Sequence, residues 1–576
     1  MLGVSGDAQP SRRTVGRRGL QFLAIAVSVA FGIGVVTLAT GGGALSVGGV
    51  TLAARSATRP FIVGSILAAL LFTVVVKSSA RSERPRLVVR TLVVVGFLTL
   101  FWAIAGIALP SLDPACGGLD SYAYVSAAQL IRAGRLSQAE PLAAALPFQN
   151  AIDALSPLGY RPSPDRSTIV PTFPIGFPLV MAAVMALVGD GGAFYVPFVL
   201  GMGTVVLTYL LARQLMPAAG AALAAVLVAT NPVFVNEAIQ PMSDVPATFW
   251  TVAAVYAISR ARPLPLVAGF AAGMAVLTRP PLLLPAIVIG WLAGRHGRRS
   301  VLLYVSGLLP VFVLLAAIQA RLYGSPWVSG HGSAGQLFTL EVVARNAWHH
   351  LKWLTVVHTP LIFPAFALGL VLRDRRFALL ALWLFATVAA PYLLYFIVFD
   401  DWEMLRFLLP GLVFVLIVAA NGVFAAAERL RPRLMMEPLI LALAVGIALG
   451  SYAFAARHNV SALKYNEAKF PLVGWWLNTN APPNAVVLAS LHSGSIRFYA
   501  GRTTLRFDAI PATQLEPTVI ALRRQGYACY LVLDGPSEVK QFRGHFADAD
   551  LNGIVMAQEG RVRDIDIFKL DAKTMP

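Results

Sequence analysis

Long apolar runs separated by short polar segments dominate the first 456 residues of the chain. Most runs approach the roughly 20 residues that an α-helix needs to cross the apolar core of a bilayer. The pattern therefore predicts an α-helical polytopic membrane protein, with a transmembrane unit over residues 1–456 and about 13 transmembrane helices. The predicted spans are 20–38, 60–77, 91–109, 194–212, 217–237, 245–260, 263–278, 281–294, 300–320, 353–372, 377–399, 405–427 and 436–456.

A fourteenth apolar run, 172–189, begins among Pro171, Pro174 and Pro178. If it crossed the membrane fully, every later basic loop would move to the opposite side. Without it, lysine and arginine concentrate in the loops on the side of the N-terminus, as cytoplasmic loops do. The sequence therefore predicts a multi-pass protein of the inner (plasma) membrane with a cytoplasmic N-terminus, and a segment 172–189 that dips into the membrane or lies along its outer surface.

The pattern changes beyond residue 456, where short β-rich runs alternate with helix-like stretches. This alternation is typical of a small α/β domain. We expect residues 457–576 to form a C-terminal α/β domain, and the odd number of spans places it outside the cytoplasm. The β-rich runs are 486–491, 503–507, 529–534 and 565–570, and the helix-like stretches are 512–525 and 537–546.

Composition supports a membrane protein and excludes several classes. The chain is 57% hydrophobic and only 13% charged, which excludes a soluble enzyme, a disordered protein and a disulfide scaffold. The net charge of +18 would suggest nucleic acid in a soluble protein. Here it follows from basic cytoplasmic loops, so no nucleic-acid partner is predicted. Cys116 and Cys529 are both predicted on the outer side, and the sequence leaves open whether they form a disulfide.

One outer loop, 110–193, is far longer than a connection requires, and loops of this length are usually functional. Asp120 stands at its start, immediately before a helical pattern over 121–133. The position suits a helix N-cap, and it equally suits a general base or a ligand group facing a cavity. Both interpretations stay open on the local pattern.

A second outer acid, Asp244, begins the predicted span 245–260. A carboxylate there is stabilised by the helix dipole, so capping again explains it. Ser243 offers an alternative cap and Glu237 lies nearby in sequence. Acids at the lip of a helical bundle are costly and are often retained for function.

Two arginines also lie at the ends of predicted spans. Arg279 lies in Leu-Thr-Arg-Pro-Pro between two short apolar runs, with no acid near it in sequence. Arg406 follows three acids and is explained either by an ion pair with them or by phosphate binding, for which a guanidinium is well suited. The three acids are Asp400, Asp401 and Glu403.

No metal or cofactor is predicted. The loop 321–352 contains His331, His349 and His350, but two adjacent histidines point to different faces of a helix and make a poor chelate compared with i, i+4 spacing. An interfacial belt of His and Trp explains them better. The chain has no Walker A motif, no dinucleotide fingerprint and no Gly-x-Ser-x-Gly elbow.

The motifs considered together are Asp120-Ser-x-x-Tyr124, Thr172-Phe-Pro-Ile-Gly-Phe-Pro-Leu, Met242-Ser-Asp244-Val-Pro, Leu277-Thr-Arg279-Pro and Arg406-Phe-Leu-Leu-Pro410, with His492-Ser-Gly-Ser-Ile-Arg near the end. In this order, and on the predicted outer side of the membrane, they resemble the motifs of the GT-C superfamily of integral-membrane glycosyltransferases. More narrowly, the chain is similar to bacterial relatives of the protein O-mannosyltransferases and the lipid A aminoarabinose transferases.

The resemblance implies a reaction. Such enzymes pass a sugar from a polyprenyl-phosphate carrier to an acceptor at the outer membrane face. Asp120 matches an acid expected to act as general base or to orient the acceptor, and Asp244 matches a supporting acid. Arg279 and Arg406 would neutralise the carrier phosphate, and Tyr124 is placed among the substrate-binding residues. Many relatives have Asp-Glu where this chain has Asp120-Ser121, so no metal is carried over.

The resemblance implies membrane lipid, a lipid-linked donor and an unidentified acceptor as partners. Two other functions stay open on the sequence. A transporter or lipid-linked-sugar flippase would explain the many helices, and it predicts charges buried within spans and an inverted repeat. A non-catalytic envelope assembly protein would use the C-terminal domain as its binding module, and it predicts that Asp120→Asn leaves function intact.

Overall fold

The computed structural model of the chain describes residues 85–430, 433–547 and 553–573, together with two short strands and a few further residues before position 68. The predicted spans 20–38 and 60–77 lie largely outside these described residues. Within the described part, six helices are long and apolar enough to cross a membrane, or eight if each of two bent helix pairs counts as one span.

The helices occur where the apolar runs predict them, but a count of 13 spans is not confirmed. The segments 265–278 and 280–294 form short apolar helices, and the pair 218–229 and 232–238 is bent by 62°. The six long segments are Val93–Ser111, Asp190–Ala212, Arg298–Tyr323, Arg375–Leu394, Trp402–Arg429 and Met436–Arg457.

The α-helices of the described residues are labelled here in chain order. They are α1 Pro85–Ala108, α2 Asp120–Arg132, α3 Ala151–Leu155, α4 Gly176–Val188, α5 Val196–Ala212, α6 Ala218–Ala229, α7 Pro232–Ala238, α8 Asp244–Ser259, α9 Pro265–Thr278, α10 Leu283–Gly294, α11 Arg298–Tyr323, α12 Ala334–Leu337, α13 Val343–His358, α14 Ile362–Leu372, α15 Arg375–Leu394, α16 Leu409–Leu430, α17 Arg433–Arg457, α18 Leu463–Glu467, α19 Lys469–Asn480, α20 Ser493–Ala500, α21 Leu515–Arg524 and α22 Gly535–His545.

Helix α16 lies at the centre of the helical part. The apolar segment that contains it is 83% buried within the protein, whereas that of α11 is 22% buried. The equally apolar α11 therefore presents most of its surface outward, as a helix in contact with lipid does. Glycines allow α9 and α11 to cross closely, because a Cβ at Gly269 would lie 1.9 Å from the carbonyl oxygen of Tyr304. Such small-residue contacts are typical of membrane helix pairs.

The long outer loop is folded. Its α2 packs against α4, and the chain that connects these two helices forms a small antiparallel sheet in the order β3-β5-β4. The predicted dipping segment 172–189 forms the 13-residue helix α4, which is shorter than a membrane span. The ten strands of the described residues are β1 Gly43–Val47, β2 Val50–Ala54, β3 Gln138–Ala139, β4 Tyr160–Pro162, β5 Thr168–Pro171, β6 Ala485–Leu488, β7 Thr503–Leu505, β8 Ala528–Asp534, β9 Ile554–Val562 and β10 Ile565–Ala572.

The last part of the chain contains a five-stranded mixed sheet in the order β7-β6-β8-β10-β9. Strand β6 pairs in parallel with β7 and β8, whereas β10 pairs antiparallel with β8 and β9. Four of these strands match the predicted β-rich runs, and α21 and α22 match the predicted helices. Strand β9 and helices α19 and α20 were not predicted.

The outer loop and the C-terminal sheet share a hydrophobic core. Leu146, Ala154 and Leu155 of the loop are buried in the same cluster as Val486 of β6 and Leu531 of β8. The backbone amide of Arg506 donates to the carbonyl oxygen of Ala154 at 2.6 Å. These contacts fix the position of the loop that carries α2. A domain division at residues 456 and 457 stays a prediction.

Candidate functional site

Asp120 is the first residue of α2, and no side chain caps this helix. Its carboxylate instead accepts a hydrogen bond from Arg406, with 3.1 Å between Oδ2 and Nη2. The two side chains are 19% and 16% exposed, so water screens this pair only partly. The carboxylate therefore serves an ion pair with Arg406 rather than the side-chain cap that the sequence left open.

Asp244 likewise begins α8, whose N-terminus has no side-chain cap. Its Oδ1 lies 2.9 Å from Nη1 of Arg279, and the Asp244 side chain is only 1% exposed. The Nε of Arg279 donates to the hydroxyl of Ser243 at 3.2 Å. Arg279 has no acid near it in sequence, and its partner Asp244 comes from a distant part of the chain.

Arg406 does not pair with the acids that precede it in sequence. Asp400 accepts from Lys352 at 2.7 Å, whereas Nη1 of Arg406 lies 3.9 Å from Oε2 of the buried Glu237. The local ion-pair interpretation of Arg406 is therefore wrong. Its partners come from α2 and α7, which are distant in the chain.

Tyr124 lies one helical turn beyond Asp120 on the same face of α2. Its hydroxyl is 2.8 Å from the hydroxyl of Ser243, which accepts from Arg279, so Tyr124 links α2 to the pair of Arg279 and Asp244. Burial raises the pKa of the phenol, which keeps it neutral and able to donate a hydrogen bond. Its ring contacts Phe173, which in turn contacts the imidazole of His331 edge-on.

An aromatic ring lies against both arginines. The guanidinium carbons of Arg279 and Arg406 are 4.9 and 5.1 Å from the centre of the Phe407 ring. The ring itself stacks on Tyr392 at 4.7 Å. Such cation–π contacts hold guanidinium groups in place without using their hydrogen-bond donors.

We call Asp120, Glu237, Asp244, Arg279 and Arg406 the charged cluster. Among the described residues, the Nε of Arg406 and Oε2 of Glu237 are buried without a hydrogen-bond partner. Buried polar atoms are normally satisfied, so unused donors and acceptors here indicate a place for a polar ligand. The two guanidiniums suit a phosphate group, and the carboxylates suit a hydroxyl.

Sequence reasoning identified four residues of this cluster and treated Glu237 only as a neighbour. It missed Phe407, Tyr392 and the packing of His331. The available signal for Phe407 was its place directly after Arg406, and no local pattern connects Tyr392 to the site.

The described residues hold no group of three or more His, Cys, Asp or Glu side chains arranged to bind a metal. His349 lies with its Nδ1 3.1 Å from the carbonyl oxygen of Phe399. Cys116 and Cys529 are free thiols, each buried in a different core cluster.

Known proteins resemble the chain in both sequence and fold. The family model for dolichyl-phosphate-mannose-protein mannosyltransferases matches residues 172–323. The chain matches two crystal structures of ArnT from Cupriavidus metallidurans, and each match covers 82% of this chain and 98% of the ArnT chain. The apo form has a TM-score of 0.52 at 14% identity, and the form bound to undecaprenyl phosphate has 0.54 at 13%.

The archaeal oligosaccharyltransferase AglB from Archaeoglobus fulgidus, in complex with an inhibitory peptide and a dolichol-phosphate, has a TM-score of 0.46 at 14% identity. That match covers 76% of this chain and 69% of that one. No curated protein matches the chain by sequence. The resemblance predicted from the motifs is confirmed at the level of the fold: the family model matches residues 172–323, and the described helices adopt the fold seen in the ArnT structures.

Proposed function

We propose that this protein transfers a sugar from a polyprenyl-phosphate-linked donor to an acceptor at the outer face of the inner (plasma) membrane. The observation that carries the proposal is the convergence of three acids and two arginines from α2, α7, α8 and the segments before α10 and α16. Both arginines contact carboxylates, and the Nε of Arg406 is buried without a hydrogen-bond partner.

The reaction follows from this chemistry. An acceptor hydroxyl attacks the anomeric carbon of the donor sugar while the bond between that carbon and the phosphate oxygen breaks. The bonding electrons leave with the polyprenyl phosphate, and the acceptor proton passes to the carboxylate of Asp120. A positioned general base of this kind contributes roughly 10²–10⁴-fold to the rate.

Arg279 and Arg406 stabilise the negative charge that grows on the departing phosphate. Their guanidiniums are partly withdrawn from water, where charge-assisted hydrogen bonds are stronger. Asp244 and Phe407 hold Arg279, and Phe407 also supports Arg406. Tyr124 and Ser243 connect helix α2, which carries Asp120, to Arg279, which would hold the phosphate.

Two comparisons support this donor class. The matching family model is described by a dolichyl-phosphate-linked sugar donor, and ArnT has been crystallised with undecaprenyl phosphate. We propose that residues 1–456 hold the donor site and that residues 457–576 form an extracytoplasmic domain. The acceptor would be a protein, lipid or polysaccharide of the cell envelope.

The test is transfer by purified protein in lipid nanodiscs supplied with polyprenyl-phosphate sugars. Asp120→Asn keeps the shape and one acceptor oxygen but removes the base, so we expect transfer to fall at least about 100-fold while donor binding persists. Asp190→Asn changes an exposed acid that pairs with Arg132 in the same outer region, and it should transfer normally.

Arg406→Gln provides the second arm of the experiment. Loss of the cation should weaken donor binding, measured directly with the lipid-linked sugar. Full transfer by Asp120→Asn contradicts the catalytic assignment, and unchanged donor affinity in Arg406→Gln contradicts the phosphate assignment. Directional movement of the lipid-linked sugar across the bilayer without transfer would favour a flippase instead.

A further inference from the structure

A polar pocket of about 380 Å³ lies between the outer loop and the C-terminal sheet. Helix α2 and the segment 138–141 form one wall, and α20 with the start of β7 forms the other. The pocket is built where two parts of the chain that are distant in sequence meet, as many ligand sites are.

The pocket and the charged cluster lie on opposite faces of α2. Asp120 and Tyr124 are four residues apart and share the face toward Arg406 and Ser243. Tyr122, Ser126 and Gln129 line the pocket, and their helical positions place them about half a turn away from that face. The pocket is therefore a separate site that the proposed reaction does not use.

The charges of the pocket do not balance. Glu140 is buried and forms an ion pair with Arg497, so these two charges offset each other. Arg502 donates to the carbonyl oxygens of Ala500 and Ala481, and its buried Nε has no hydrogen-bond partner. Arg135 takes part in none of the ion pairs of the described residues. Two positive charges are left over.

The neutral part of the lining is rich in hydrogen-bonding groups. The hydroxyls of Ser126 and Tyr160 lie 2.9 Å apart at the floor, beside the buried Tyr122. Gln129 and Gln138 present amides at the wall. Hydroxyls and amides both donate and accept, and that pattern matches the hydroxyl-rich surface of a sugar better than the surface of an apolar ligand.

We propose that this pocket binds an anionic saccharide unit of the acceptor, with Arg135 and Arg502 holding its acidic group. This inference rests on the proposed function, because only a transferase has an acceptor. Binding of the saccharide itself does not require transfer. A remote unit held here would contribute binding energy that positions the rest of the acceptor.

The experiment measures binding of trigalacturonate, an acidic trisaccharide, to the full-length protein in nanodiscs by calorimetry. Neutral galactotriose and inorganic phosphate serve as comparison probes. Arg135 is exposed, so Arg135→Ser should leave the fold intact and weaken trigalacturonate binding about fivefold at low salt. Gln129→Glu adds a carboxylate to the wall formed by α2, and it should also weaken trigalacturonate binding.

Arg524→Ser is the matched control, because Arg524 is an exposed arginine of the C-terminal part that does not line the pocket. It should bind as the unchanged protein does. No trigalacturonate binding, or equal loss in Arg524→Ser, overturns the proposal. Phosphate binding as strong as that of trigalacturonate overturns the saccharide part. Binding in a protein that transfers no sugar would refute the proposed function and leave the pocket standing.

Discussion

Asp113 is a buried acid just beyond the last residue of the first described membrane segment. Its backbone amide donates to the carbonyl oxygen of Ile239 and its carboxylate accepts from the amide of Ala115. Burial raises its pKa from an ordinary value of 3.8 to about 7. Below that pH the folded protein holds the neutral acid, whereas the unfolded chain ionises near pH 4.

We predict that Asp113→Asn stabilises the protein at high pH. A raised pKa costs stability progressively from about pH 4 to about pH 7, where the cost levels off. A rise from 3.8 to about 7 corresponds to about 4 kcal/mol at most. Asn keeps the acceptor for Ala115, so the gain in melting temperature should be large at pH 8 and vanish at pH 4.

The control for this prediction is an acid whose pKa is lowered rather than raised. Asp165 is exposed, and hydrogen bonds from Ser163 and Ser167 lower its pKa to about 2. Asp165→Asn should therefore lose a little stability above pH 4 and none below pH 2. A melting temperature of Asp113→Asn that tracks the unchanged protein at every pH would show that Asp113 is ionised in the fold.

The sequence identified individual residues of the charged cluster better than it identified the contacts between them. Asp120, Asp244, Arg279 and Arg406 stood out because charges beside apolar runs are rare and need a reason. Their pairing did not follow, since Asp120 and Arg406 are 286 positions apart. The acids nearest Arg406 in sequence also suggested the wrong partners.

Helix α4 packs end-on against the end of α9, two residues before Arg279. A Cβ at Gly176 would lie 2.5 Å from the carbonyl carbon of Leu277 and 2.5 Å from the amide nitrogen of Thr278. These are backbone atoms, which cannot move aside as a flexible side chain can. The glycine thus sets how closely the outer helix approaches the segment that carries Arg279.

We predict that Gly176→Ala displaces this segment and weakens donor binding. Overpacking of this kind costs about 1–3 kcal/mol, and part of that should appear as lower affinity for the lipid-linked sugar. Gly191→Ala is the matched control, because a Cβ there meets nothing within 4 Å. Equal donor affinity in both variants would show that the contact relaxes without moving Arg279.

The sequence predicted those helices and strands whose residues form a clear hydrophobic pattern. Strand β8 is buried along nearly its whole length and was found, whereas β9 is exposed at most positions and gave no alternating signal. Helix α20 begins Ser-Gly-Ser, which is typical of a turn rather than a helix. The count of 13 spans is not confirmed, and apolar runs do not reveal bends such as the 89° break after His358.

Helix α2 connects the membrane part to the C-terminal part. Nine of its residues are buried, and α20 contacts it from the side opposite the charged cluster. A Cβ at Gly494 of α20 would lie 2.2 Å from the Tyr122 ring. The hydroxyl of Ser493 also accepts from the amide of Leu158 at 3.0 Å. The position of Asp120 thus depends on residues about 370 positions later in the chain.

We predict that Gly494→Ala lowers sugar transfer although it lies in the C-terminal part. The added methyl group should push the Tyr122 ring and, through α2, shift the Asp120 carboxylate. Misplacement of about 1 Å is able to cost roughly 100-fold in rate. The measurement is the transfer rate at saturating donor, together with donor affinity, which should change little.

Gly544→Ala controls for a glycine replaced within a helix of the same part. A Cβ there meets nothing within 4 Å, and alanine favours the helix, so transfer and stability should be unchanged or slightly higher. Normal transfer by Gly494→Ala would show that the C-terminal part does not position Asp120.

The two faces of α2 also impose a distance. An acceptor that occupies both the polar pocket and the charged cluster has to reach across a helix whose diameter, side chains included, is roughly 10–12 Å. A rigid helix does not shorten that path. The diameter of the helix would therefore select acceptors by length. Acceptors long enough to span it would reach both sites, and compact ones would not, whatever sugar they carry.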